Sequence, residues 1–261
     1  MNLMRNKKAL NLLMILCATV FAVSAFGLWR ELSLRSQGRS FYTAVLSGVA
    51  TRSSAQNPSL GAAESEAETP WVPYMDFDAL REIIPGVKAW IAVDGTVIYY
   101  PVMQGTDNDH FLHHLPDGAR NQMGSIFLDY RNSPDFTDRN SVIYGHHMRS
   151  GDMFGQLDFY REQDFYDQHP IFMLYTPERD YHVEIFAGYI ADASRETIPI
   201  VFSDTSDFEA YVDEVRRRSI FESTVDVNES DRLVTLVTCT TNVATARFVL
   251  VGRIIGEEEE S

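Results

Sequence analysis

The sequence predicts a mainly β fold with helices, a barrel that follows one apolar amino-terminal helix. The barrel is predicted because short segments rich in Val, Ile, Leu and Thr recur from residue 89 onward, with turn residues between them. The helix is predicted because residues 9–29 carry no charged side chain, which is a length that crosses a bilayer. A chain of 261 residues is long enough for one globular domain plus such appendages.

The apolar segment 9–29 has the charge pattern of a membrane anchor. Arg5, Lys7 and Lys8 stand on its amino side, so the positive-inside rule predicts a cytoplasmic N-terminus and an extracellular body. A cleaved secretory signal is the alternative, because Val23-Ser24-Ala25 resembles a small-residue cleavage site. The segment is longer than an ordinary signal core, which favours a retained single-pass anchor within residues 1–30.

Composition divides the rest of the chain. Residues 31–70 are rich in Ser, Ala, Gly, Gln and Glu and lack a periodic apolar face, which predicts a stalk or linker with at most a short helix near 41–49. The folded domain is expected over 71–256, and an acidic, solvated tail over 257–261.

The charge of the exported body bears on its partners. Residues 1–30 hold four basic residues and no acidic residue, so removing them from the net charge of −15 leaves −19 on the remainder. Such a body would repel phosphate backbones. We therefore predict that nucleic acid is not a partner.

Two helices are indicated within the folded domain. Asp76 is placed to cap a short helix that Pro85-Gly86 ends. A longer helix is expected over 206–219, where apolar residues fall at helical spacing. Asp207 in its first turn and the arginines 216–218 in its last turn match the helix dipole.

The strands are predicted from β-branched and aromatic residues bounded by turns. Asp94-Gly95 is a strong hairpin signal between the first two. The eight predicted strands are 89–93, 96–102, 125–128, 141–144, 171–175, 182–190, 232–238 and 247–255.

Cys239 is the one cysteine beyond the apolar segment, since the other, Cys17, lies within it. It follows strand 232–238, and Arg247 opens the next strand after the loop 240–246, so an antiparallel pair would bring thiol and guanidinium to one rim of a sheet. A nearby positive charge favours the nucleophilic thiolate, and a guanidinium stabilises an oxyanion. A free cysteine in a strand is also commonly a small buried hydrophobe. Export favours catalysis, because an unpaired extracellular thiol is otherwise a liability.

The sequence has seven histidines that could supply a base for this thiol. His146 and His147 follow the strand 141–144 and Gly145, a residue that permits a sharp turn. A histidine held at a strand end has a pKa near neutrality and can transfer protons, although an exposed loop histidine is often chemically idle.

A second group of histidines is His110, His113 and His114. It lacks a carboxylate or second cysteine at a familiar ligand spacing, and the sequence holds no H-E-x-x-H motif. We therefore predict histidines on a helix surface and no metal ion.

Three motifs carry a resemblance to a known family. The segment 235–239, Thr-Leu-Val-Thr-Cys, the arginine that heads the next strand, and Tyr144-Gly145-His146 resemble the signature of sortases, the membrane-anchored cysteine transpeptidases of Gram-positive surfaces. Further stretches between Asp76 and Ile254 are similar to class B of that family. They are Trp90-Ile91, Tyr100-Pro101-Val102, Asp107-Asn108, Phe111-Leu112, 124–132 and 153–157.

The resemblance implies a closed eight-stranded β-barrel with decorating helices and no cofactor. It implies that Cys239 is the nucleophile, His146 the general acid and base, and Arg247 the group that steadies the substrate and the oxyanion. The residues that it places in or near a signal-binding groove are Asn108, Tyr144 and Thr238.

The implied reaction is a thiol endopeptidase step followed by transpeptidation. A C-terminal sorting signal of a secreted surface protein would be cleaved after threonine, and the protein held as a thioester. A peptidoglycan precursor or cross-bridge amine would then accept it, which attaches the protein to the cell wall.

Two other functions remain open from the sequence. A pilin-polymerising sortase would use a lysine side chain as acceptor, and a membrane-tethered binding module would keep the barrel without catalysis. Three details depart from a simple match. Val237 stands where relatives often carry a small polar residue, His147 makes the choice of base depend on motif register, and no acidic partner of His146 is evident from spacing.

Overall fold

In a computed structural model, the structure describes residues 2–56, 75–192, 194–239 and 246–255. The chain divides into two compact units, 1–43 and 44–261. Three sequence predictions lie outside the described residues: the domain start at residue 71, most of the loop after Cys239, and the acidic tail.

Helix α1 runs Asn2–Gln56 and supplies the described part of the first unit. Its stretch Leu10–Gly48 contains an 18-residue window of mean hydropathy 2.3, long and apolar enough by length and composition to cross a membrane. Leu12 and Phe21 are 72% and 75% exposed, which is compatible with side chains that face lipid. The helix continues through the predicted stalk as far as Gln56. The apolar pattern indicated only a short helix near 41–49, where Tyr42 and Val45 are buried, and the rest of the stalk has no apolar periodicity to mark a helix.

The second unit contains a closed barrel of eight strands. The strands are β1 (Val87–Val93), β2 (Tyr99–Gln104), β3 (Ile126–Leu128), β4 (Asn140–His146), β5 (Ile171–Tyr175), β6 (Asp180–Asp192), β7 (Leu233–Cys239) and β8 (Ala246–Ile254). Around the barrel they follow the order β1-β2-β3-β4-β7-β8-β6-β5, closed by β5 against β1. The pairs β2–β3 and β4–β7 are parallel, and the remaining pairs are antiparallel. All eight predicted strands are confirmed to within three residues at their ends.

Among the described residues, four further helices and one 3-10 helix decorate the barrel. They are α2 (Phe77–Ile83), α3 (His110–His113), the 3-10 helix Gly155–Arg161, α4 (Gln163–Gln168) and α5 (Thr205–Arg218). As predicted, Asp76 caps α2, and its carboxylate accepts a hydrogen bond of 2.9 Å from the backbone of Ala79. Asp204 caps α5 in the same way, through the N–H of Asp207 at 3.0 Å.

Helix α5 positions the site by covering part of one sheet face. Its Phe208 and Val212 are buried in one cluster with Val237 of β7 and Val249 of β8. Side chains alternate along a strand, so Cys239 lies on the same face as Val237, two residues earlier. This face is therefore apolar and buried where α5 covers it, and it carries Cys239 at its end.

Candidate active site

The parallel pair β4–β7 brings His146 beside Cys239. The two residues are register partners at the ends of their strands, although 93 positions separate them in the chain. The imidazole Nδ1 of His146 lies 3.4 Å from the backbone carbonyl oxygen of Cys239. A ladder of seven paired residues therefore sets this proximity.

The antiparallel pair β7–β8 brings Arg247 to the same rim. Val237 pairs with Val249, and continuing that register by two residues places Arg247 opposite Cys239. Neighbouring strands lie about 4.8 Å apart, close enough for the half-buried guanidinium to act on the thiol. The three residues predicted as the catalytic group thus lie together.

Cys239 itself is buried, with 7% of its surface exposed. Burial raises the pKa of its thiol to about 11, and the Arg247 guanidinium acts in the opposite direction. At neutral pH the resting sulfur is therefore protonated. It becomes a nucleophile only when a base removes the proton.

His146 is suited to that task. It is 3% exposed, and burial lowers its pKa, against the raising effect of the carbonyls of Leu112 and Cys239. Its Nε2 lies 2.6 Å from the Leu112 carbonyl oxygen, which can only accept, so in the neutral ring Nε2 carries the proton. Nδ1, on the Cys239 side, is left to accept one.

A glycine lets this strand end pack closely. The sequence interpretation of Gly145 as a sharp turn is wrong, because the residue lies inside β4. A Cβ at this position would collide with the side chains of Ile126 and Phe154. Gly145 therefore serves close packing beneath His146, not a change of direction.

Two of the three predicted groove residues meet at one buried carboxylate. The Asn108 amide donates to Asp129 at 2.9 Å, and the Tyr144 hydroxyl donates to the same oxygen at 3.3 Å. Burial, and then the negative charge of Asp129, raises the pKa of Tyr144 above its ordinary value, so the phenol stays a neutral donor.

The structure does not bring Thr238 to this face. Its hydroxyl accepts from the Phe248 N–H at 2.8 Å and donates to the Phe248 carbonyl at 3.2 Å. It is buried, and alternation along β7 directs it away from the face of Cys239. The observed contacts of Thr238 hold the β7–β8 pair together.

Comparison with known proteins agrees with this geometry. The sortase domain family matches residues 91–255. The chain is 38% identical over 178 residues to sortase B of Listeria monocytogenes, which covers 67% of this chain and 72% of that protein. The chain belongs to the sortase family. With sortase B of Staphylococcus aureus, identity is 33% over 181 residues, covering 69% of this chain and 74% of that one.

Solved structures give the same answer. A Staphylococcus aureus sortase B–substrate complex superposes on this sortase with a TM-score of 0.73 and 29% identity, covering 85% of this chain and 97% of that chain. The protein is therefore a class B sortase, a cysteine transpeptidase with the predicted closed barrel.

The second histidine of this sortase has a different partner. His147 Nε2 lies 2.6 Å from the Asp158 carboxylate, and its backbone N–H donates to the Cys239 carbonyl at 2.9 Å. The His147 ring is therefore paired with a carboxylate, whereas the His146 ring lies beside the strand that carries Cys239. The motif register that favoured His146 agrees with this placement.

Sequence reasoning missed two contributors to the site of this sortase. One is the Leu112 carbonyl, a backbone group with no sequence signal of its own. The other is Asp129, which lies in the segment 124–132 that resembles class B. Its contacts with Asn108 and Tyr144 form only once the chain has folded. In the part of the chain that the structure describes, the groups within hydrogen-bonding distance of the His146 ring nitrogens are two carbonyl oxygens, and no carboxylate is among them. In the neutral ring only the Nε2–Leu112 contact is a hydrogen bond.

The histidine group 110–114 lies on and just after α3, as predicted. The rings of His110 and His114 stack with centroids 4.2 Å apart. Within the described residues, no group of three or more His, Cys, Asp or Glu side chains is arranged to hold a metal ion.

Proposed function

We propose that this class B sortase cleaves the C-terminal sorting signal of secreted surface proteins after a threonine and transfers them to a peptidoglycan amine. The observation that supports this most is the convergence of Cys239, His146 and Arg247 at one rim of the barrel. A nucleophile, a proton shuttle and a cation are what two successive acyl transfers need.

In the first transfer the Cys239 sulfur attacks the threonine carbonyl carbon while its proton passes to His146 Nδ1. The carbonyl oxygen becomes an oxyanion, to which the Arg247 guanidinium donates. The carbon–nitrogen bond then breaks, and the imidazolium returns its proton to the leaving amine. The product is a thioester on Cys239 and a free C-terminal fragment.

In the second transfer an amine attacks the thioester carbonyl. Neutral His146 takes a proton from the attacking nitrogen, and the same guanidinium holds the oxyanion. Collapse forms a new amide and expels the thiolate, which recovers the proton from His146. The Cys239 thiol and the neutral His146 ring are thereby restored to their resting forms.

The membrane placement is part of the proposal. The span in α1 follows three basic residues at its amino side, which supports a cytoplasmic N-terminus and an extracellular catalytic domain. Secreted surface proteins and wall precursors meet at that face of the membrane. A protease added to intact cells should then degrade the barrel but spare an epitope placed at the N-terminus.

The reaction is tested with the full chain in detergent micelles. Incubation with a library of threonine-containing pentapeptides should add an acyl mass to the wild-type chain, and a peptide amine should remove it with formation of a new amide. Cys239→Ala should show no adduct, whereas the matched variant Cys17→Ala should behave as wild type. An adduct that persists in Cys239→Ala would refute the proposal.

Acceptor choice separates the pilin alternative. Peptides that carry the α-amine of a glycine or the side-chain amine of a stem peptide should resolve the thioester. Exclusive use of a lysine inside a folded protein partner would instead indicate polymerisation of pilins.

A further inference from the structure

The carboxylate of Asp129 joins three segments that border the catalytic residues. Asp129 follows β3 and has no exposed surface. One oxygen accepts from the backbone and Nε of Arg131 at 3.0 and 2.9 Å. The other accepts from Arg131 Nη2 at 2.8 Å, Asn108 at 2.9 Å and Tyr144 at 3.3 Å. Five donors thus converge on one buried acid.

This arrangement keeps the acid ionised inside the protein. Burial acts to raise the pKa of Asp129, but the hydrogen bonds from Arg131 and Asn108 outweigh it, and the pKa lies below its ordinary value. A buried charge is retained only where its partners compensate fully, and removing it leaves those donors unsatisfied. Asp129 is therefore a rigid point of attachment.

The two side chains other than Arg131 that bind Asp129, those of Asn108 and Tyr144, belong to segments that also carry or contact His146. Tyr144 stands two residues before His146 on β4, hence on the same face, and the nearby Cys239 sulfur contributes to its raised pKa. Asn108 begins the segment that leads into α3, and its side-chain amide oxygen Oδ1 accepts from the Tyr130 N–H at 3.1 Å. The Leu112 carbonyl in α3 in turn holds His146 at 2.6 Å.

We propose that Asp129 is a positioning residue of this sortase, whose carboxylate fixes Asn108 and Tyr144 as one wall of the groove that binds the sorting signal. The inference rests on the proposed function, because it needs a peptide to be bound beside Cys239. It assigns to Asp129 an effect on substrate binding that is exerted through two other side chains and not by contact with the reacting atoms.

The test is steady-state kinetics of the full chain with a sorting peptide that the wild type accepts. Asp129→Asn keeps the shape but replaces one acceptor oxygen by a donor, so KM should rise about tenfold while kcat changes less than about twofold. The rate at which a small reagent alkylates Cys239 should stay within about twofold, because the substitution leaves Cys239, His146 and Arg247 unchanged. A merely structural role would lower kcat, or the folded fraction, without this split.

Glu184→Gln is the matched control. Glu184 accepts from Arg253 Nε and Nη2 at 2.9 and 2.8 Å, in a partly exposed acid–arginine pair at the end of β8 away from Arg247. It should leave KM unchanged. An equal rise in KM in both variants would overturn the inference, since loss of any such pair would then suffice.

A double-mutant cycle covers the case in which Asp129→Asn does not fold. Asn108→Ala and Tyr144→Phe share the Asp129 oxygen, so their effects on KM should be coupled, and the double variant should lose less than the product of the single losses. Independent effects would overturn the inference, as would a wild-type KM in a folded Asp129→Asn. No acyl-enzyme in the wild type with any peptide would instead overturn the proposed function, and this inference with it.

Discussion

The sheet face formed by β4, β7, β8 and β6 has two regions that differ sharply in chemistry. Under α5 it is lined by buried apolar residues such as Val237 and Val249, packed on Phe208. Two residues further along the same strands it carries a thiol, an imidazole and a guanidinium. The strand register is common to both regions, so the covered region acts as the rigid support that places the reactive groups.

The two regions should respond differently to substitution. Substitutions at the catalytic rim should change rate with little change in stability, and substitutions in the covered region should change stability with little change in rate per folded molecule. Three substitutions, each with a control, test this division.

His146→Gln should cause the largest loss. It removes the proposed proton shuttle, so the second-order rate constant of acylation should fall about 10³-fold, within the range for general acid–base catalysis. His147→Gln, one residue away, should change the rate only a few-fold, because its ring pairs with Asp158. Stopped-flow acylation compares the two variants, and equal losses would contradict the assignment of His146 as base.

Arg247→Gln should cause the next largest loss. Without the guanidinium the oxyanion loses a charged donor, which costs about 10²-fold in kcat. Loss of the positive charge should also raise the thiol pKa further, since Arg247 acts to lower it. Arg253→Gln on the same strand is the control and should retain nearly full kcat. Full activity of Arg247→Gln would remove the guanidinium from the mechanism.

Val212→Ala tests the covered region and should have the smallest effect on catalysis. It deletes two buried carbons from the α5 contact, which costs about 2 kcal/mol of unfolding free energy. Asp213→Ala, on the exposed side of the helix, should cost less than about 0.5 kcal/mol. Urea unfolding measures both. A fall in the activity of the folded Val212→Ala fraction would show that the two regions are not separable.

The barrel could be predicted because its strands are marked by local composition, and the hairpin turn at Gly95 has the positive φ of 69° that favours glycine. The register that places His146 beside Cys239 could not be derived from spacing, since parallel pairing over 93 residues leaves no local signal. The resemblance supplied that expectation.

Other features escaped the sequence for physical reasons. The extent of α1 to Gln56 was missed because residues 50–56 carry no periodic apolar pattern that would mark a helix. The acceptor for His146 was missed because it is a backbone carbonyl, that of Leu112. The hydrogen-bond network of Asp129 was missed because its five donors, from three segments, meet only after folding.

The pH profile of kcat/KM for thioester formation tests most directly whether the Cys239 thiol is neutral at rest and loses its proton to His146. Below the lowered pKa of His146 the ring is protonated and cannot accept, so activity should fall only below about pH 6.5. Above it, the neutral thiol and neutral imidazole hold the same number of protons as the reactive ion pair, so activity should stay level until the thiol itself ionises near its pKa of about 11. A thiol that is neutral at rest predicts a plateau that still holds at about pH 9.5, one and a half units below that pKa. A preformed thiolate–imidazolium pair would instead lose activity above about pH 8, as the imidazolium deprotonates, and that result would contradict a Cys239 thiol that is neutral at rest.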